Sequence, residues 1–131
     1  MLALSAATRA VAAEPHLRPA VAALQREACR LGQAREATVV AFDWTNRTVW
    51  TLDGSVMSGE VRSLVTRIAG SGQREVRGHA LIEPIGGAPA SAVLVLRRST
   101  GHRFDAHDVA LVAALAGSVA ATVNRLLSAR P

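Results

Sequence analysis

Cysteine is nearly missing from this chain: Cys29 is the single one in 131 residues. An internal disulfide and any cysteine-based zinc cluster are therefore excluded. Cys29 lies in an apolar stretch with helical spacing, where a free cysteine packs as a small hydrophobe. Tyrosine is absent and aromatics make up only 3% of the residues, so the core must be filled by Ala, Val and Leu. Lysine is absent too, and all fifteen basic residues are arginine. The formal net charge is +5, but the arginines are scattered and only Arg97 and Arg98 are adjacent. Nucleic-acid binders gather such charges on a stripe, often with interleaved aromatics. A solvated arginine surface is favoured, and nucleic-acid binding is disfavoured. No uninterrupted apolar run reaches the roughly 18 residues that signal a membrane span. The opening MLALSAATRAVAAEP resembles a signal peptide poorly, because no charged region precedes the apolar run and Arg9 interrupts it. The expectation is a soluble, cytoplasmic protein with no membrane partner.

What is present is enough apolar material for one domain, since 50% of the residues are hydrophobic. The reading is a single domain over residues 1–131, with 1–16 an N-terminal extension or helix and 17–129 the domain core. From Pro19, PAVAALQREACRLG places Val21, Leu24, Ala28 and Leu31 on one helical face, and Gly32 suits the stop. ATVVAFDW and RTVWTLDG read as two strands joined by a polar turn, a hairpin. SGEVRSLVTRIAGSG is amphipathic at helical spacing, with Ser58 as its cap and Gly70 and Gly72 as its stop. QREV reads as a short edge strand, and GHALIEPI and ASAVLVLRR as two more strands joined at GGAP. A long helix runs from about Ala106 to Ala129. Tight turns between neighbouring strands imply an antiparallel sheet and an α+β layered domain.

The final helix carries two apolar stripes. One is Val112, Leu115, Val119, Thr122 and Leu126; the other is Val109, Ala113, Ala116, Ala120, Val123 and Leu127. That arc is wider than a single sheet contact needs. One stripe packs on the sheet, and the other requires either the N-terminal helix or the same helix of another chain; a helical-bundle homodimer is the favoured reading. Val112, Leu115, Val119 and Leu126 are its candidate interface.

The cluster His102, Asp105, His107 and Asp108 invites a metal reading, because adjacent His and Asp occur in metal-dependent phosphohydrolases. Such a site needs a further acid downstream, and none follows Asp108. Helix-start chemistry accounts for it better. Asp105 caps, Asp108 sits in the first turn against the positive helix end, and Phe104 staples onto Val109. No phosphate-binding glycine loop or nucleophile elbow is found, so no enzyme and no required cofactor are predicted. Trp44 and Trp50 are read as sitting near the open ends of the first hairpin, where pairing across it or packing in the core is the favoured arrangement. With His79 they are also the candidate walls of a small-molecule pocket.

The segment from ALIEPIGG through AVLVL, Phe104, Asp108 and the long final helix resembles a GAF domain. Upstream, GSGQREV and ATVVAFD are similar to the family's glycine step and first strand, so the resemblance spans about Leu17 to Ala129. It implies a central antiparallel sheet of five to six strands, with the N- and C-terminal helices on one face. It also implies a sensory or regulatory role, with a ligand pocket near the other face. Members bind cyclic nucleotides, haem, bilin or small metabolites, and many have no known ligand. This chain departs from several of those types. It has no lysine for the Asn-Lys-(any)-Phe-Asp-Glu signature, Cys29 lies off the bilin-attachment segment, and one cysteine leaves no resolving thiol for sulfoxide reduction. The resemblance implies a homodimeric domain, alone or within a longer regulator, relaying ligand or partner binding through its terminal helices. A ligand-free dimerisation or protein-interaction module is the alternative.

Overall fold

A computed structural model describes residues 2–99 and 101–129. The elements in chain order are α1 (Leu2–Ala12), α2 (Leu17–Gly32), β1 (Glu36–Asp43), β2 (Thr48–Thr51), α3 (Gly59–Ser71), β3 (Glu75–Arg77), β4 (Ala80–Ile85), β5 (Ala92–Arg97) and α4 (Ala106–Ala129). The strands form one five-stranded antiparallel sheet in the order β2-β1-β5-β4-β3. The interior strands are β1, β5 and β4; β4 and β5 are buried along most of their length and β1 over Val39–Phe42, which explains their near-continuous apolar runs.

Alternation of side chains divides the sheet's two faces. Val39, Leu81, Ile85, Ala92, Leu94 and Leu96 join the larger core with α1, α2 and α4. Val40, Phe42, Ile82, Val93 and Val95 join a smaller core with Val65, Ile68 and Ala69 of α3. The fold is thus α+β, with N- and C-terminal helices on one face as expected, and α3 with Met57 of the segment before it covers the other.

Both apolar stripes of α4 are used inside the chain. Val112, Leu115, Ala116, Val119, Val123 and Leu126 are all buried, packed among the sheet, α2 and α1. The arc is wide because three elements meet α4, and the N-terminal helices supply the partner that the second stripe demands. By length and composition α4 is apolar enough to cross a bilayer, yet its buried side chains form the centre of the larger core.

Helix ends follow local chemistry. Ser58 Oγ accepts from the Val61 amide, and Gly72 closes α3 in the left-handed region at φ +71°. Gly70 remains inside that helix. For α2 the left-handed residue is Gln33 rather than Gly32. Gly32 serves packing instead: a Cβ there would lie 3.0 Å from Leu96 Cδ1 and 3.2 Å from Val112 Cγ2. Asp105 and Asp108 form a reciprocal cap. The Asp108 amide donates to Asp105 Oδ1 at 2.8 Å, and the Asp105 amide donates to Asp108 Oδ2 at 2.9 Å.

Arg98 ties that cap to the rest of the fold. Its Nε and Nη2 donate to the Gly32 carbonyl at the end of α2, at 3.2 and 2.7 Å. Nη1 donates to the Arg103 carbonyl at 2.6 Å, and Nη2 stands 3.1 Å from Asp108 Oδ2. The guanidinium also lies over the Phe104 ring, 4.2 Å from its centroid. For Asp108, burial pushes the carboxyl up, but the Asp105 amide and Arg98 outweigh it and hold the group below the usual aspartate range.

Candidate functional site

The cleft between α3 and the sheet follows from how α3 is seated. Its C-terminal half is buried through Val65, Ile68 and Ala69, whereas Val61 and Leu64 in the N-terminal half are only half-buried. The helix therefore closes on the sheet at one end and leaves space at the other. Two cavities occupy that space, of about 270 and 310 Å³. They share Val61, Val95 and Arg97, so they adjoin. The first also has Thr38, Val40, Ser55, Met57 and Ser58 in its lining; the second has Glu60, Leu64, Arg77, His79 and Ile82.

Each wall residue has a reason to be there. Val93, Val95 and Arg97 alternate onto the α3 side of β5, and Thr38 and Val40 do so on β1. Thr38 is the register partner of Val95, and Arg97 stands between Glu36 and Ala80. The segment before α3 is shaped by Asp53, whose Oδ1 accepts from the Ser55 amide at 2.8 Å, and by Gly54 at φ +82°. Thr51 Oγ1 donates to the Ser55 carbonyl at 2.6 Å and holds this segment against β2. The floor is apolar and the rim carries hydroxyls and charges, a suitable arrangement for a small ligand.

The three candidate pocket residues do not meet. Trp44 and Trp50 line a groove of about 520 Å³ with Asp43, Asn46, Ser91, Leu127 and Ser128. His79 lines the α3 cleft at the other end of the sheet, just before β4. The two tryptophans are not register partners either, because Trp50 stands opposite Ala41. Trp44 stacks on Phe42 with ring centroids 5.3 Å apart, and its Nε1 donates to the Ala90 carbonyl at 2.8 Å. It anchors the hairpin tip to the β4–β5 turn, where the Ala90 amide in turn donates to the Ala69 carbonyl of α3 at 2.8 Å. The candidate dimer residues Val112, Leu115, Val119 and Leu126 lie in the chain's own core, at most 6% exposed.

Sequence reasoning missed Arg97, Val61, Val95, Ser55 and Ser58 as cleft residues. A signal was available for Arg97. It extends the Val93, Val95 alternation of a buried strand, so it shares their face. Its neighbour Arg98 points to the other face and is absorbed by the structure.

Three further ionisable groups lie outside the cleft. Glu83 is the one buried charged residue among those described, and its Oε1 accepts from Arg74 Nε at 2.7 Å. Burial raises the Glu83 carboxyl above the usual glutamate range, and the Arg74 pair offsets this only in part. The same contact raises Arg74, whose half-exposed guanidinium loses little hydration. Burial, then Glu36, pushes the Cys29 thiol up, which disfavours the reactive thiolate. Among the described residues, no group of three or more His, Cys, Asp or Glu is placed to hold a metal ion.

No protein-family model and no curated protein matches the sequence. Solved structures do match across nearly the whole chain. The GAF domain of a phosphoenolpyruvate-protein phosphotransferase from Coxiella burnetii has a TM-score of 0.81 at 15% identity, covering 97% of this chain and 94% of its own. The corresponding domain from Acinetobacter has a TM-score of 0.82 at 10% identity, covering 98% and 95%. The GAF domain of a candidate sensor histidine kinase from Pseudomonas syringae pv. tomato has a TM-score of 0.69 at 22% identity, covering 97% and 89%. With the strand order and the helices on both faces, these likenesses show that the chain has the fold of a GAF domain.

Proposed function

We propose that this chain is a cytoplasmic sensory or regulatory domain that takes a small molecule in the cleft between α3 and the sheet. The pair of adjoining cavities around Val61, Val95 and Arg97 carries this reading. The fold supports it, because the GAF domains that it resembles come from two phosphoenolpyruvate-protein phosphotransferases and a candidate sensor histidine kinase. The route outward is short. Val93 and Val95 belong to the α3-side core, while Leu94 and Leu96 of the same strand belong to the core with α4. A ligand that favours one seating of α3 thereby biases the terminal helices, a shift between two states through differential binding.

Relay by a homodimer fits the outward face of α4. Ala110, Ala114, Gly117 and Ala121 are exposed there at helical spacing, and a Cβ added at Gly117 would meet nothing within 4 Å. A second copy would use this face rather than the buried stripe. Light scattering checks it: Ala114→Arg is expected to convert a dimer to monomer, and a wild-type monomer at high concentration refutes the homodimer.

The test of ligand sensing is a thermal-shift panel of small metabolites run on the wild type and on Val61→Trp, which fills the junction of the cavities. Hits are expected to raise the wild-type melting temperature and to lose their effect in the variant. Hits that stabilise both proteins equally refute the cleft as the site.

A further inference from the structure

Arg97 stands where the two cavities of the α3 cleft adjoin, and it differs from the other paired arginines nearby. Arg98, Arg74, Arg67 and Arg77 each reach a partner oxygen at 2.6 to 2.9 Å. Among the described residues, Arg97 has Glu36 alone as an acidic partner, at 3.7 Å, beyond hydrogen-bond distance. Glu36 is itself 61% exposed, so water screens that attraction. The planar fork of donors on Arg97 therefore remains open to a ligand, and such a fork matches a carboxylate in two parallel bonds. Around it, Thr38, Ser55 and Ser58 line the cleft with hydroxyls, and Val40, Val61, Val95 and Met57 supply apolar wall.

Resting on the ligand-sensing reading above, we propose that the cleft recognises a small aliphatic monocarboxylate, with Arg97 as the carboxylate-binding residue. The apolar body lies along Val61 and Val95 toward Leu64 and Ile82. The second cavity fixes the charge of that body. Glu60 lines it opposite Arg77 and His79, and Arg77 is already paired with Glu75 at 2.9 Å. One anionic end at Arg97 and an uncharged remainder satisfy both ends of the cleft. The volumes of about 270 and 310 Å³ set the size, at the lower limit for ligand pockets.

The experiment is an NMR titration of the whole chain with hexanoate, 1-hexanol and hexylamine, which share a tail and differ in head group. Hexanoate is expected to shift the Val61, Val95 and Arg97 resonances saturably. It should bind roughly tenfold or more tightly than hexanol, the advantage of a charge-assisted bond pair. Arg97→Gln is expected to abolish that advantage and Arg97→Lys to keep part of it, both with melting temperatures near wild type, since Arg97 holds no other element. Equal binding of hexanol or hexylamine in the cleft, or hexanoate preference surviving Arg97→Gln, overturns the carboxylate assignment and leaves the cleft reading standing. Failure of all three to shift cleft resonances overturns the proposal, and the metabolite panel with Val61→Trp then decides the cleft reading separately.

Discussion

Replacing Arg98 should cost more stability than replacing any other arginine of the chain. Its side chain is 12% exposed, and its four polar contacts join the end of α2, the loop before α4 and the α4 cap. A hydrogen bond to a charged group contributes about 1.5–3 kcal/mol, but these contacts share one guanidinium and are not additive. The pair with Asp108 and the stacking on Phe104 each add about 1 kcal/mol or less. Arg98→Ala is therefore expected to lose about 3–4 kcal/mol, since it also strands the Gly32 and Arg103 carbonyls. Arg98→Lys keeps the charge but not the fork, and is expected to lose about 1.5–2 kcal/mol. For a chain of this size the alanine variant should melt roughly 10–15 °C lower. Urea denaturation followed by circular dichroism measures both variants, and a double-mutant cycle with Asp108→Asn isolates the ion pair. Arg98→Ala within about 1 kcal/mol of wild type, or Arg98→Lys indistinguishable from it, would refute the clamp.

Two other ionisable sites give pH-dependent outcomes. Arg74→Ala strands the buried Glu83 carboxylate and is expected to cost about 1–3 kcal/mol at pH 7, less than for a fully buried pair because Arg74 is half-exposed. Because the folded Glu83 pKa is raised, protonation favours the native state, so this penalty should shrink as pH falls toward about 4 and Glu83→Gln should remove it. A penalty independent of pH in denaturation at pH 7 and pH 4 would contradict the burial argument. Asp108 has the opposite sign: its lowered folded pKa adds stability that is present above about pH 4 and lost as pH falls through the folded value. Asp108→Asn should accordingly differ from wild type most near neutrality and least in acid. Asp105→Ala should cost about 1 kcal/mol as a lost cap, read from the same melts.

Much of the architecture was legible because local chemistry and periodicity agree. Ser58 and Gly72 bound α3, Asp105 starts α4, and alternation on β5 marks a strand covered on both faces. The width of the α4 arc was legible as a demand for a partner, but sequence alone left two suppliers open. Only the packing of α1 and α2 on α4 shows that the N-terminal helices meet it. Gly32 looked like a stop because glycine does both jobs, and its role is set by Leu96 and Val112, distant in sequence. The candidate pocket failed for a similar reason. Trp44, Trp50 and His79 are the residue types that walls use, but register sends His79 to the end of the sheet opposite the tryptophans. Arg97 and Arg98 are neighbours of one type, and strand alternation alone gives them opposite fates.

Amide hydrogen exchange on the free and ligand-saturated chain tests the central claim most directly, using a hit from the metabolite panel. The account predicts added protection in residues 58–65 and 92–97, accompanied by a change along α4. Protection confined to the Trp44–Trp50 groove, or protection of the cleft with α4 unchanged, would contradict it.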